Sequence, residues 1–440
     1  MEAEVAAGSP GDRLSSVREL MARHQAGPAT VQRAIAALVA RGVVEARPGR
    51  GTFVAPRVAP AAADTSWQTV ALGARAIDAD ALETLLRPPA EDAFVLSSGY
   101  LPADLQPTAA LGAALARAAR RPGAWDRVPP EGIAPLRAYF AAEVGAAPGE
   151  VLICPGGQAG LAACLRGLAA PGAPVVVEAP TYLGALAAAR AQGLVPVPVP
   201  ADERGIRPDL LADALERSGA RLVYLQPVFA NPHGATLDNA RRAAVLEVVR
   251  AAGAFLIEDD AFRELAIATA PPPLFGEDPD GHVVHVRSLT KPAAPGLRIS
   301  AVIARGPALA RLRAARIVED LYVPGPMQEA ALELVGTPAW RAHLRRLRRV
   351  LRERRDALAT AWGQPVRLPQ GGMNLWVALE PGIDDRDVAQ RAAAAGVIVS
   401  PGRPFFAGEP PGPFLRLTYA SEPPDRLATA VERLRPLLKP

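Results

Sequence analysis

From residue 151 a short apolar run followed by a longer, mostly alanine-rich stretch recurs: VLICP then QAGLAACLRGLA, PVVVEAP then TYLGALAAARAQG, LVYLQP then NARRAAVLEVVRAAG, and finally FLIEDD. Short apolar runs bounded by breaks read as strands buried on both faces, and the stretches between them are long enough for a helix each. Parallel neighbours need a crossover of about a dozen residues or more, which these stretches supply. The pattern predicts right-handed crossovers and a largely parallel sheet covered on both sides, an α/β fold.

A chain of 440 residues exceeds what one core usually serves. The alternation starts near residue 93, and a smaller C-terminal α+β unit is expected from about residue 325. This gives a large domain over 93–324 and a small one over 325–440. The stretch from Trp340 to Trp362, studded with arginine, reads as a helix with a solvated face. Charges interrupt every apolar run before the ~18 consecutive residues that a membrane span needs, so no membrane association is expected. MEAEVAAGSP carries Glu2 and Glu4 and lacks a basic start, which reads as cytoplasmic. The spacing of Cys154 and Cys164 suits neither a disulfide framework nor a zinc site, so the chain is expected to hold no metal.

Basic charge is uneven: Arg13 to Arg57 holds eight arginines (13, 18, 23, 33, 41, 47, 50, 57) against Glu19 and Glu45. A concentrated positive field at one end suits a polyanion. DRLSSVRELMARH places Leu14, Val17, Leu20 and Met21 at helical spacing, with Asp12 as its cap. GPATVQRAIAALVARG places Val31, Ile35 and Leu38 on one face, with Pro28 near its start and Gly42 after its end. VVEA, RPGRG and TFVA then make a hairpin with an arginine at its tip.

These pieces resemble the GntR-type winged helix-turn-helix. The resemblance implies a DNA-binding α+β head over residues 1–57, with Arg18, Thr30, Gln32, Arg33 and Arg50 on the phosphates and base edges of double-stranded DNA. Little more than ten residues precede Ser15, so most of the family's first helix is expected to be missing. Pro28 stands where an arginine is common. APRVAPAAADTS is rich in alanine and proline and reads as the start of a linker, taken over residues 58–92.

Ligands of a parallel sheet gather beyond the carboxyl ends of its strands. Those ends carry Gly156-Gly157-Gln158-Ala159, then Thr181-Tyr182, then Phe229-Ala230-Asn231-Pro232-His233-Gly234, then Asp259-Asp260, then Ser288-Leu289-Thr290-Lys291 with Arg298 shortly after. Small residues opening a helix offer backbone N–H groups to a phosphate. Among 49 basic residues only Lys291 and Lys439 are lysines. Where arginine serves nearly everywhere else, a lysine kept in mid-chain points to imine formation, because an amine can lose its proton and attack a carbonyl while a guanidinium cannot.

Over roughly residues 95–437, ending with Phe414-Leu415-Arg416-Leu417, the ensemble resembles the fold-type I pyridoxal-phosphate enzymes of the class I/II aminotransferase group. The resemblance implies that Lys291 attaches pyridoxal 5′-phosphate covalently and that Asp259 pairs with its pyridine nitrogen. It implies too that Asn231 donates to the ring's phenolic oxygen and that Tyr182 stacks on the ring. Ser288, Thr290, Arg298 and the backbone around Gly157 and Gln158 would hold the phosphate. Arg416, with Gly99 nearby, would grip the carboxylate of an amino acid or other amino compound. Phe262 stands where the family places a tyrosine, and Arg127 roughly where a partner subunit's phosphate contact arises.

A GntR-type head joined to an aminotransferase-like body is the arrangement of MocR-like transcriptional regulators. It implies a homodimer whose body senses the cofactor or an amino compound. The alternative is an active aminotransferase with a vestigial head.

Overall fold

The computed structural model describes residues 1–56, 63–72, 79–86, 88–90 and 92–438. The chain divides into two compact units, Met1–Ala76 and Ile77–Pro440. Arg57, Lys439 and residues 58–62, 73–78, 87 and 91 of the expected linker lie outside the described residues. Helices Ser66–Ala71 and Asp80–Leu86 fall within the 58–92 span.

In the first unit, helices Val17–His24 and Pro28–Ala40 precede an antiparallel pair, Val44–Arg47 with Gly51–Val54. A short helix, Glu2–Ala7, stands before them, and its Val5 joins Leu14, Leu38, Val44 and Val54 in a small core. Of the expected first helix, six residues form ahead of Ser15 and supply a core side chain. The helix expected from Asp12 starts instead at Val17, capped by Ser16 and Glu19 reciprocally. Asp12 and Leu14 are extended because their backbones bond to Val54 and Thr52 of the wing.

The second unit is built on an eight-stranded sheet. Its order is Val151–Cys154, Ser300–Ile303, Val283–Ser288, Phe255–Asp260, Leu222–Leu225, Pro174–Ala179, Val195–Asp202, Gly205–Ile206. Five neighbouring strands, from Val283–Ser288 through Val195–Asp202, pair in parallel, as the alternation predicts; Ser300–Ile303 runs antiparallel to both its neighbours. Two apolar clusters pack beside the sheet, one around Val223, Leu256 and Ala301, the other around Val177, Ile257 and Val302. These adjacent strand positions alternate between faces, so both faces are covered.

A three-stranded antiparallel sheet, Asn374–Ala378, Phe414–Thr418 and Ser400–Pro401, forms a further layer. Phe94–Val95 pairs in parallel with Val397–Ile398, and Phe94, Leu96, Leu101 and Leu105 enter the core of this layer. The arginine-rich helix, Pro338–Trp362, is not uniformly solvated as expected. Arg354 and Arg355 are buried and donate to the carbonyls of Ala420 and Pro369, while Arg348 and Arg352 donate to those of Ala266 and Ile267. A guanidinium on a long stem reaches loop carbonyls that no strand or helix satisfies. Among the described residues no helix is long and apolar enough to cross a membrane.

Candidate functional site

The parallel strands all point their carboxyl ends one way, and the chain leaves each end carrying polar groups. One cavity is lined by Gly157, Gln158, Tyr182, Asn231, Asp259, Ser288, Thr290, Lys291 and Arg298, residues from five separate strand ends, together with Tyr100, Gln226 and Phe262.

Lys291 Nζ donates to the Gly99 carbonyl at 2.7 Å and lies 4.2 Å from the centre of the Tyr100 ring. Burial, with Arg416 and Arg298 nearby, pulls its pKa down to about 8. An amine so placed is neutral, and so nucleophilic, in a far larger fraction near pH 7 than a free lysine. Asp259 accepts from Tyr224 at 2.7 Å and from Gln226 at 2.9 Å, both on Oδ2. Burial pushes its carboxyl up and these hydrogen bonds oppose that shift. The neighbouring Asp260 instead pairs with Arg263, so of the two adjacent carboxylates one faces the cavity.

Gln226 also accepts from the backbone N–H of Asn231 at 2.9 Å, which ties two cavity residues together. Asn231 Oδ1 faces Arg416 and Asn374, each at 3.4 Å, leaving its amide nitrogen free to donate elsewhere. Tyr182 bonds Gln158 at 3.1 Å, and Gln158 in turn donates to the Gly184 carbonyl at 2.8 Å. Gly184 is needed here, because a Cβ at that position would collide with the Tyr182 ring.

At the opening of helix Gly157–Leu168, Gly156 has φ +93° and any side chain there would strike the Arg298 guanidinium. The Thr290 N–H donates to Ser288 Oγ at 3.2 Å, while the buried Thr290 Oγ1 has no partner among the described residues. A guanidinium, two hydroxyls and a helix N-terminus converge on this corner, which fits an anion such as a phosphate.

Arg416 is 1 % exposed and donates to the Ser97 carbonyl, to Ser400 Oγ at 3.2 Å and to Asn231 Oδ1 at 3.4 Å. No carboxylate pairs with it among the described residues, its Nε is unsatisfied, and burial pulls its pKa down to about 10. A buried cation without a counter-ion is costly unless a ligand supplies one. The donor set as a whole, an amine, a carboxylate, a phenol ring and two separate anion corners, fits a flat phosphorylated aldehyde such as pyridoxal phosphate together with a carboxylate ligand.

The sequence-predicted residues of the body come together, except that the Gly99 carbonyl, expected near Arg416, accepts from Lys291, and Arg416 meets Ser97 and Ser400, which were not predicted. Tyr224, Gln226, Asn374 and Tyr100 were not anticipated. Gln226, a polar residue ending an apolar strand, carried a legible signal, and Tyr100 adjoins a predicted glycine; Tyr224 sits inside the strand and carried none. In the head, Arg18, Thr30, Gln32, Arg33 and Arg50 are all exposed. Among the described residues Arg23, Arg41 and Arg47 pair with Glu4, Glu2 and Glu45, whereas Arg18, Arg33 and Arg50 have no acidic partner. No cluster of three or more His, Cys, Asp or Glu placed to hold a metal occurs among the described residues.

Comparison with known proteins gives two family matches: aminotransferase class I and II over residues 91–434, and bacterial regulatory proteins of the GntR family over residues 6–54. A 2-aminoadipate transaminase of Thermus thermophilus is 36% identical, over 85% of this chain and 98% of its own. An uncharacterised HTH-type transcriptional regulator of Escherichia coli, YdcR, is 30% identical over 99% of this chain and 97% of its own. Among solved structures, the T. thermophilus α-aminoadipate aminotransferase LysN, complexed with N-(5′-phosphopyridoxyl)-L-leucine, superposes with a TM-score of 0.77 at 35% identity, covering 82% of this chain and 95% of that one. With the fold, the converging strand-end residues and these matches together, the chain belongs to the class I and II aminotransferase family and carries a GntR-family helix-turn-helix domain at its N-terminal end.

Proposed function

We infer that this chain is a cytoplasmic, homodimeric transcriptional regulator. Residues 1–57 bind double-stranded DNA, 58–92 link, and the cofactor-binding body, 93–324 with the small domain 325–440, senses pyridoxal 5′-phosphate or an amino compound. The observation that carries this reading is the division of the head's arginines: Arg50 in the wing turn, Arg33 on helix Pro28–Ala40 and Arg18 on helix Val17–His24 are exposed and have no acidic partner among the described residues, as suits phosphate contacts. Full-length relatives named HTH-type transcriptional regulators support it.

When bound, the cofactor supplies an aldehyde that captures amines and a ring that can accept electron density. Lys291 presents the amine, and Asp259, held by Tyr224 and Gln226, keeps a proton on the ring nitrogen. Asn231 donates to the ring oxygen while its own carbonyl is engaged by Arg416. Tyr182 would stack on the ring, Ser288, Thr290 and Arg298 would hold the phosphate, and Arg416 would take the α-carboxylate of an amino compound. A ligand that favours one arrangement of the dimer then biases the heads. For the dimer surface, Trp125, Val318 and Leu321 are exposed, on neighbouring segments: Arg316 reaches the Pro130 carbonyl and Gly325 approaches Ala124.

The test is fluorescence anisotropy of the full-length, cofactor-loaded protein against DNA from upstream of its own gene, with excess unrelated DNA. Saturable binding that survives competitor and responds to an amino compound supports the regulator. Absence of selective binding by folded, loaded protein overturns it. The second reading, a working aminotransferase, is favoured by the convergence of Lys291, Asp259, Asn231 and Arg416, and turnover of an amino acid with a 2-oxo acid, lost in Lys291→Ala, would establish it.

A further inference from the structure

Helix Pro338–Trp362 buries Leu347, Leu351, Leu358 and Trp362 in the core of the body and turns arginine outward. Arg341, Arg345, Arg346, Arg348, Arg349 and Arg352 are all exposed. Residues three and four apart share a helix face, so Arg341, Arg345, Arg348 and Arg352 form one stripe, bordered by Arg349. From Arg341 to Arg352 the stripe is about 16 Å long.

On the same helix the buried Arg354 and Arg355 pair with Asp104 and Asp356, whereas none of the six exposed arginines meets a carboxylate among the described residues. Other exposed arginines of the body are neutralised: Arg117, Arg121, Arg204 and Arg207 pair with Glu333, Glu329, Asp238 and Asp209. Two members of the stripe are also held in position. Arg348 donates to the Ala266 carbonyl at 3.3 Å and Arg352 to that of Ile267 at 2.9 Å, and each keeps further N–H groups for an outside acceptor. His343 bonds the Pro292 carbonyl at 2.7 Å, which ties the helix to the segment that follows Lys291. The stripe is therefore a fixed row of guanidinium groups whose charge is unspent.

We propose that this stripe is a second DNA-binding surface, which takes backbone phosphates of the duplex that the head binds. This rests on the reading of the head as a DNA-binding domain and extends it to the body. Each strand of a duplex carries a phosphate about every 3.4 Å along the axis, so the stripe matches about five base pairs, roughly half a helical turn. Planar guanidinium forks fit phosphate oxygens two at a time. Because head and body are one chain, a duplex held by one is presented to the other at raised effective concentration. A bilayer is the poorer partner, since a helix lying in a membrane surface needs an apolar face to bury, and here that face is already in the core. Phosphate contacts carry no sequence information, so the stripe adds affinity and leaves the choice of sequence to the head.

The experiment is a salt series of fluorescence anisotropy on full-length protein loaded with pyridoxal phosphate, using DNA from upstream of its own gene and an unrelated duplex of equal length. Arg341→Gln combined with Arg345→Gln is compared with Arg217→Gln combined with Arg311→Gln, two exposed arginines elsewhere on the body without an acidic partner among the described residues. Both double variants lose the same charge, and Arg348 and Arg352 keep their carbonyls in each. The stripe variant should lower the salt slope by about two units on both duplexes, roughly 0.9 per phosphate contact, and weaken binding roughly tenfold at fixed salt. The control variant should leave the slope as it is. An unchanged slope in the stripe variant, or an equal fall in both variants, would overturn the proposal. If the parent shows no preference for its upstream DNA while the stripe variant still lowers the slope on the unrelated duplex, the regulator reading falls and the surface stands. No binding of either duplex by folded, loaded parent would overturn both. Sedimentation with vesicles of anionic phospholipid, lost in the stripe variant while DNA binding is unchanged, would assign the stripe to a membrane and sink the proposal.

Discussion

The hydroxyl of Tyr224 and the side-chain amide of Gln226 both donate to Oδ2 of Asp259, at 2.7 and 2.9 Å, so Oδ1 is the oxygen left without a hydrogen bond among the described residues. The carboxylate is thereby fixed in rotation, with one oxygen reserved for a ligand. Tyr224→Phe keeps the ring in the strand and removes one donor. A charge-assisted hydrogen bond contributes about 1.5–3 kcal/mol, so retention of pyridoxal phosphate should weaken roughly tenfold or more. A dissociation constant from absorbance titration checks this, and an unchanged value would leave Gln226 as the sole positioning residue.

Lys291 has a pKa of about 8, below the 10.5 of a free lysine, chiefly through burial. Only the neutral amine attacks an aldehyde. The rate of cofactor capture by stripped protein should therefore rise with pH and level off above a midpoint near 8. In the stripped protein the same shift means that the unfolded chain holds more protons between that midpoint and 10.5, so this group's contribution to stability grows as pH rises through that window. Stopped-flow absorbance measures the first effect, and a midpoint near 10 would contradict the buried-amine reading.

Arg416 is buried, and no carboxylate pairs with it among the described residues. Valerate supplied at about 100 times its dissociation constant should stabilise the native protein by about 2.7 kcal/mol. Arg416→Met should abolish that ligand-dependent rise in Tm. Because the variant also removes a buried, unpaired charge, its ligand-free Tm should not fall by much. Thermal denaturation with and without ligand reads both.

In the head, Arg33 and Arg50, which have no acidic partner among the described residues, should matter more to DNA than the paired Arg23 and Arg41. Arg33→Ala and Arg50→Ala should each weaken binding and lower the salt slope by about one unit, as loss of a phosphate contact does. Arg23→Ala and Arg41→Ala should change it less, since Glu4 and Glu2 already occupy those guanidinium groups. Equal effects at all four positions would point to bulk charge instead of placed contacts.

Phe262 brings its ring centre to 5.7 Å from Lys291 Nζ and carries no hydroxyl. Phe262→Tyr should add a donor to the ring oxygen of the bound cofactor. Stabilising the deprotonated form should lower the pH midpoint of the cofactor's absorbance by about one unit. Spectra taken across a pH series test it.

The parallel sheet was legible because strand and helix periods alternate, and the cavity because its residues follow strand ends in order. What stayed hidden depends on long-range approach. Tyr224 reads as an ordinary aromatic in an apolar strand, and only its neighbour Asp259 gives its hydroxyl a task. Asn374 follows a pair of glycines and faces Asn231 across the fold. Val195–Asp202 carries prolines at 196, 198 and 200 and looks like a broken loop. It remains a strand because residues 195–200 pair in register with Pro174–Ala179 alone, which leaves the proline nitrogens outside the ladder. The cap moved from Asp12 to Ser16 because pairing with the wing claims Asp12, a contact that no local spacing reveals.

The parallel pairing of Phe94–Val95 with Val397–Ile398 bears on how the protein is made. Leu96 accepts from the N–H of Thr418, and Glu422 accepts from that of Val95, so the first strand after residue 92 finds its partners almost at the end of the chain. On the ribosome, at roughly 5–20 residues per second, some tens of seconds separate the emergence of the two. The head, whose core closes with Val54, is complete long before that. Each new molecule thus passes through a stage in which a finished DNA-binding fold is attached to a body that cannot yet close its effector cavity.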